Sequence, residues 1–334
     1  MRKTLLALLI AAAACGGKSK PATPPPTLPE DKPPVETKTE PAEPAEPPEP
    51  PPPSGPIEVT LPAPDVEVKL VNAGKGKKAK LALAPKAGTK QATELLLDFT
   101  GGQDGPPETG GKRDEVAPTV VLVADAETQS VDDKGATTFQ FTVSGVDVKD
   151  KTGQKVSSAE FKAELGSLIG ATIAGTVDAN GKPSALKLRI EKPDAKSAGA
   201  LEFIKLSLLP IWPVLPTEAI GAGAKWTVTT KQKIADQLEV KKVVSYELGA
   251  KKGTAVTIKG TTKVSGDEQN VQGAKLGNID GNGAHEVTMT DGTLLPAIKQ
   301  SMATNFTITV EPPNQKPIVI KFHVEQANAL TPKT

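Results

Sequence analysis

Chemistry in this 334-residue chain would have to come from few groups, because it carries only two histidines, His285 and His323, and a single cysteine, Cys15. Zinc needs three or four convergent ligands, and this supply is poor. No metal and no cofactor is therefore expected. A Ser-His-Asp arrangement is assembled in space and leaves no fixed trace in chain order, but there is no Gly-x-Ser-x-Gly elbow to present a nucleophile. His323 falls on the wet face of a strand pattern. His285 follows an Asn/Gly turn beside Glu286, and both histidines read as solvated surface. The carboxylate pairs Asp132-Asp133 and Asp267-Glu268 fall in turns, as solvated acidic loops do. No catalytic residue is expected.

The glycine-rich stretches are equally quiet. Gly221-x-Gly223 precedes a strand, has no third glycine and sits in no βαβ unit, so it is not a dinucleotide fingerprint. Asn278-Ile279-Asp280-Gly281-Asn282-Gly283 has the polarity of a calcium loop, but Met289 stands where the bidentate Glu belongs. It reads as a polar turn between strands.

Cys15 has a different context. Arg2 and Lys3 precede a run of Leu, Ile and Ala from Thr4 to Ala14, too short to span a bilayer and flanked as a secretory signal is. Ala12-Ala13-Ala14-Cys15 resembles the lipobox of bacterial lipoproteins, whose cysteine is acylated and becomes the first residue. Ala12 stands where that family prefers Leu, and Ala12-x-Ala14 also suits ordinary secretory cleavage. A lone thiol on a tail is a redox liability that acylation removes. The resemblance implies a signal peptide over 1–14, a lipidated N-terminus over 15–20 and Cys15 as the attachment site. Gly16 and Gly17 follow with no Asp, which by the same resemblance favours the outer membrane.

Residues 21–56 hold 16 of the chain's 32 prolines, interleaved with seven carboxylates. Proline fixes φ and removes a donor, so this segment should be extended, without a core, and about 110 Å long at full reach. It reads as a disordered spacer between membrane and domain.

The remaining 278 residues suffice for a buried core. Forty basic against 39 acidic side chains leave no field to attract nucleic acid, and aromatics at 3% leave little for base stacking. Phe139, Phe141 and Val143, then Phe306, Ile308 and Val310, then Ile318, Ile320, Phe322 and Val324, alternate with polar residues. That period is antiparallel sheet with one wet face. Further strands are expected at 66–71, 80–84, 92–99, 120–124, 171–178, 184–190, 226–234, 243–248, 255–262 and 286–290. Asn180-Gly181 should make a hairpin turn with both φ values positive, and 101–113 should be a mobile loop. Ser157-x-x-Glu160 fits a capping box before a short helix, and a second helix should run from Asp194 or Ser197 to Leu209, stopped by Pro210. The fold class is mainly β: a long antiparallel meander forming a curved sheet, half-barrel or barrel with one or two short helices packed on it. It occupies 57–334, with 57–155 and 156–334 as its halves if it divides.

Pro210-Ile211-Trp212-Pro213-Val214-Leu215-Pro216 followed by Gly221-x-Gly-x-x-Trp226 resembles a segment of an uncharacterised bacterial lipoprotein family, with a β-rich domain of unknown function. The resemblance implies no activity. Its architecture is similar to lipoprotein-carrier and lipid-binding half-barrels. Trp212 and Trp226 are candidates to line a cleft, although a tryptophan beside proline more often packs under a sheet. These residues point to a lipid-anchored, non-catalytic envelope protein that binds an apolar ligand or an envelope protein. A structural or adhesive lipoprotein without a cavity is the alternative, and an envelope hydrolase with dispersed catalytic residues is a third.

Overall fold

The computed structural model describes residues 55–207, 211–234, 238–271 and 273–333. Among these residues seventeen strands and two α-helices follow in order. The first half holds β1 (Ile57–Leu61), β2 (Asp65–Asn72), β3 (Lys75–Ala79), β4 (Lys90–Asp104), β5 (Arg113–Val116), β6 (Thr119–Val131) and β7 (Thr137–Lys149). Helix α1 (Ser158–Leu165), β8 (Thr172–Val177), β9 (Leu186–Ile190), α2 (Ser197–Ser207) and β10 (Ile220–Ala222) follow. The C-terminal run is β11 (Lys225–Ile234), β12 (Leu238–Lys252), β13 (Ala255–Gly266), β14 (Gln269–Val271), β15 (Ala274–Thr290), β16 (Ala297–Val310) and β17 (Ile318–Pro332).

One antiparallel sheet takes nearly all of them, in the order β1-β9-β8-β7-β6-β4-β17-β16-β15-β13-β12-β11-β2, with β5 on β4 and β14 on β15. β3 and β10 make a separate pair. The sheet's two end strands, β1 and β2, are joined only by Pro62-Ala63-Pro64. Four Cα steps span at most about 15 Å, so the sheet must roll until its edges nearly meet. Prolines in that link supply no backbone donors and help keep the seam from pairing.

Inward positions of all thirteen strands on this path feed one buried cluster. Eight strands already enclose a space that side chains can fill, so thirteen need a plug. The plug is α1, α2 and the crossover from 211 to 224. Ser157 caps α1, its Oγ accepting from the Glu160 N–H at 3.2 Å, and Phe161 and Leu165 turn inward. Trp212 and Trp226 are both buried, each donating its Nε1–H to a carbonyl at 2.9 Å, Leu294 and Val214 respectively. Phe139 packs 4.9 Å from the Trp212 ring.

Two hairpins share one device. Asp132 and Asp178 each accept two backbone N–H groups on Oδ1, and Gly135 and Gly181 take φ of 81° and 83° three residues on. Only Gly181 of the Asn180-Gly181 pair has positive φ, so this is a turn closed by a glycine bulge, not the two-residue form expected. The turn tucks under the sheet, Asn180 and Ala179 carbonyls accepting from Leu215 and Leu83, each at 2.7 Å.

Other expectations need correction. Residues 80–84, expected to be a strand, are not one: β3 ends at Ala79, and the Leu83 N–H donates instead to the Ala179 carbonyl. The loop expected at 101–113 is confined to 105–112, with a 3-10 turn at Pro107–Thr109, because β4 runs on to Asp104 and β5 returns against it from Arg113. Asn278 to Gly283 is no turn: it lies inside the 17-residue strand β15. β12 and β6 are likewise longer than their apolar cores. The second helix is described to Ser207, and the expected Pro210 stop lies outside the described residues.

Candidate functional site

From the edge of the plug outward, the long strands β11 to β17 carry rows of inward side chains set by register. Trp226, Tyr246, Gly260, His285, Gln300 and Asn328 face one another across successive strands. The ring centroids of Trp226 and Tyr246 are 5.2 Å apart and those of Tyr246 and His285 5.0 Å apart. Gly260 makes this possible. The His285 ring lies across β13 in the space a Cβ at 260 would need.

His285 is therefore inward, not the solvated surface group that the sequence suggests. Its phase is that of Ile279, Val287 and Met289, once β15 is extended back through the Gly281 and Gly283 positions. Those glycines let β16 approach closely, since a Cβ at either would press on its backbone. Burial, and next the Lys242 charge, push the His285 pKa down to about 4. Its buried Nε2 has no hydrogen-bond partner, and neither does the buried Oδ1 of Asn328 in the same row.

Lys242 is the unexpected member. It occupies an inward position of β12 between Val240 and Val244, opposite Thr230 and Val264, and is 7% exposed. Burial alone drives its pKa down to about 8. Among the described residues no carboxylate pairs with it and no hydrogen bond holds it. Burial also raises the Tyr246 pKa, and no hydrogen bond reaches that hydroxyl among the described residues. Tyr246 and His285 thus pack together on one inner wall, with Lys242 two inward positions along β12 beyond Val244, donors that the sequence alone does not bring together. The signal was present: Val240-x-Lys242-x-Val244-x-Tyr246-x-Leu248 puts the lysine on the apolar phase.

Two concavities border this region. A partly open apolar cavity of about 40 Å³ in the plugged end is lined by Leu122, Phe141, Val143, Ile173, Ile204 and Leu330 among others. An open trough of about 660 Å³ crosses the outward face from β13 to β4. Its floor is a cross-strand row of small residues, Thr261, Ala284, Ser301 and Ala327, ending at Asp98. Beside it runs Lys259, Glu286, Lys299 and Ala329. Asp98 pairs with Lys151.

Neither Trp212 nor Trp226 lines either concavity; both are core groups. Cys15 lies outside the described residues. His323 points outward from β17, 3.9 Å from Asp114, with both groups well exposed. It shares no site with His285. Asp132 anchors its hairpin, and Asp267 and Glu268 lie between β13 and β14. No group of three or more metal-ligating side chains occurs among the described residues.

No protein-family model matches the chain, and no curated protein matches it. Among solved structures, it is similar to Pseudomonas aeruginosa OpdQ at 8% identity and a TM-score of 0.21, covering 73% of this chain and 98% of that one. P. aeruginosa OccK11 (OpdR) gives 7% and 0.18, over 75% of this chain and 99% of that one. OmpT, an outer membrane protein of Vibrio cholerae, gives 10% and 0.16, over 74% and 100%. Scores this low carry no argument about fold or function.

Proposed function

We propose that this protein is a lipid-anchored, non-catalytic component of a bacterial cell envelope, whose β-rich body is held off the outer membrane by a Pro/Glu stalk and binds an envelope partner with its outside. The observation that supports this reading is the polarity of the rolled sheet. Lys241, Glu247, Lys259, Lys263, Lys299 and Glu325 point outward from its longest strands, while the inward face of the plugged end is apolar. Lysine on a lipid-facing strand costs about 2–4 kcal/mol at mid-bilayer, so this body belongs in water and needs a separate anchor. Cys15 at the end of a signal-like segment offers one, and two or more acyl chains there would hold firmly.

The enclosed apolar ligand of the carrier reading has little support. A cavity of about 40 Å³ has room for about three water molecules, not for an acyl chain. Work by the outer face is the better-supported version.

The test is mass spectrometry of the mature N-terminal peptide together with fractionation of cells. Cys15 carrying diacylglyceryl and acyl groups, with the protein in membranes and Cys15→Ser released, is the expected result. A free thiol on a protein found in the medium would overturn the reading.

A further inference from the structure

We propose that Lys242, Tyr246 and His285 form a binding site for a small oxyanion (a carboxylate, phosphate or sulfate group) on the inner wall of the sheet. The inference is independent of the anchor. Three groups able to donate a hydrogen bond face inward on one wall, Tyr246 beside His285 and Lys242 two inward positions along β12 from Tyr246. The lysine is more than nine-tenths buried, the His285 Nε2 is buried without a partner, and among the described residues no hydrogen bond or ion pair holds Lys242 or Tyr246. A neutral imidazole can carry its proton on Nε2, and the phenol and ammonium donate as they stand.

The surroundings say which ligand would fit. Inward neighbours on β11, β13, β16 and β17 are Thr230, Thr262, Gln300, Thr304 and Gln326, all neutral. Among the described residues no acidic side chain pairs with the lysine to balance it. An ammonium held among Val240, Val244 and Val264 acts through a medium less screening than water, which strengthens its pull on an anion and disfavours a cation. Access is provided as well. Thr230, Gly283, Met302, Thr304 and Gln326 are half-buried, so the wall beyond the plug is not sealed as the plugged end is.

The test uses the full chain at pH 7, with calorimetric titration and thermal melts in sodium acetate, phosphate or sulfate, each against sodium chloride of equal ionic strength. Trp226 fluorescence gives a third readout, since its ring stacks on Tyr246. A saturable response to at least one oxyanion is expected, weakened tenfold or more in Lys242→Met and unchanged in Lys263→Met, an outward neighbour. Lys242→Gln replaces the methionine variant if that one fails to fold. The acetate and phosphate arms tell a carboxylate site from a phosphate one. Equal responses in wild type and Lys242 variants, or no saturable response to any of the three, overturn the proposal.

Discussion

Replacing Lys242 by methionine should stabilise this protein. The substitution keeps an unbranched aliphatic stem against Val240, Val244 and Val264 and removes an ammonium that is 7% exposed and unpaired among the described residues. Its pKa falls from 10.5 to about 8 on folding, which corresponds to about 3 kcal/mol. The direction matters. Between those two values the unfolded chain binds the proton and the folded chain does not, so wild-type stability rises with pH from about 8 to 10.5. Below about 8 both states are charged and the whole deficit is present. Urea denaturation in chloride buffer, run from pH 6 to 10.5 on both proteins, reads this directly. Lys242→Met should exceed wild type by about 3 kcal/mol at pH 7, and the gap should close toward pH 10.5. The difference between the two curves cancels the other lysines and the tyrosine. A variant less stable than wild type at pH 7, or a gap that does not change with pH, would refute the burial argument.

His285 gives the mirror test in acid. Its pKa drops from 6.5 to about 4, chiefly by burial and then by the Lys242 charge, so stability is intact above 6.5 and about 3 kcal/mol is lost as pH falls to 4. In His285→Gln that part of the acid slope should vanish from urea melts. Gly260→Ala places a methyl on the His285 ring and should cost about 1–3 kcal/mol, an effect absent in the double variant Gly260→Ala, His285→Ala. Trp226→Ala should cost about 3–5 kcal/mol and orphan the Val214 carbonyl, whereas a cleft-lining tryptophan would be nearly silent in the same melts. Lengthening the Pro62–Pro64 link by six Gly/Ser residues should cost only about 1 kcal/mol of closure entropy, and two separate unfolding transitions would show that the seam does more than hold the edges near each other.

The sequence makes some levels of this structure readable and hides others for physical reasons. Period-two alternation places most strands, because one face is buried and the other wet. The same signal, followed without stopping at polar residues, also carries Lys242 and His285 inward. It is lost when Gly281-Asn282-Gly283 is read as a turn, since glycine marks both turns and strands whose backbones approach closely. Capping at Ser157 is local chemistry and is legible. Pairing of β1 with β9, or of β4 with β17, joins segments far apart in the chain, and no local pattern encodes it. The tryptophans illustrate the limit at the site level. Their neighbouring prolines and glycines show a sharp crossover, but only the three-dimensional path puts Trp212 against Phe139 instead of in a cleft.

The two ends of the sheet answer different demands. Thirteen strands enclose more space than their own side chains can fill, and α1, α2 and the crossover fill one end almost completely. There, large apolar groups such as Leu97, Leu168 and Leu215 are fully or nearly fully buried, and any change in volume is felt as stability. At the edge of the plug and beyond it the wall alternates apolar residues with Lys242, Thr262, His285, Gln300 and Asn328, groups that weaken a core unless something satisfies them. A core built only for stability would place Leu or Val at 242, as it does at 240, 244 and 264. The cost of an unbalanced ammonium is several times the net gain of an ordinary hydrogen bond, so its presence is informative in a way that an exposed lysine is not. An anion seated against it would supply the missing counter-charge and would raise its pKa back toward 10.5, shrinking the pH-dependent gap that separates wild type from Lys242→Met.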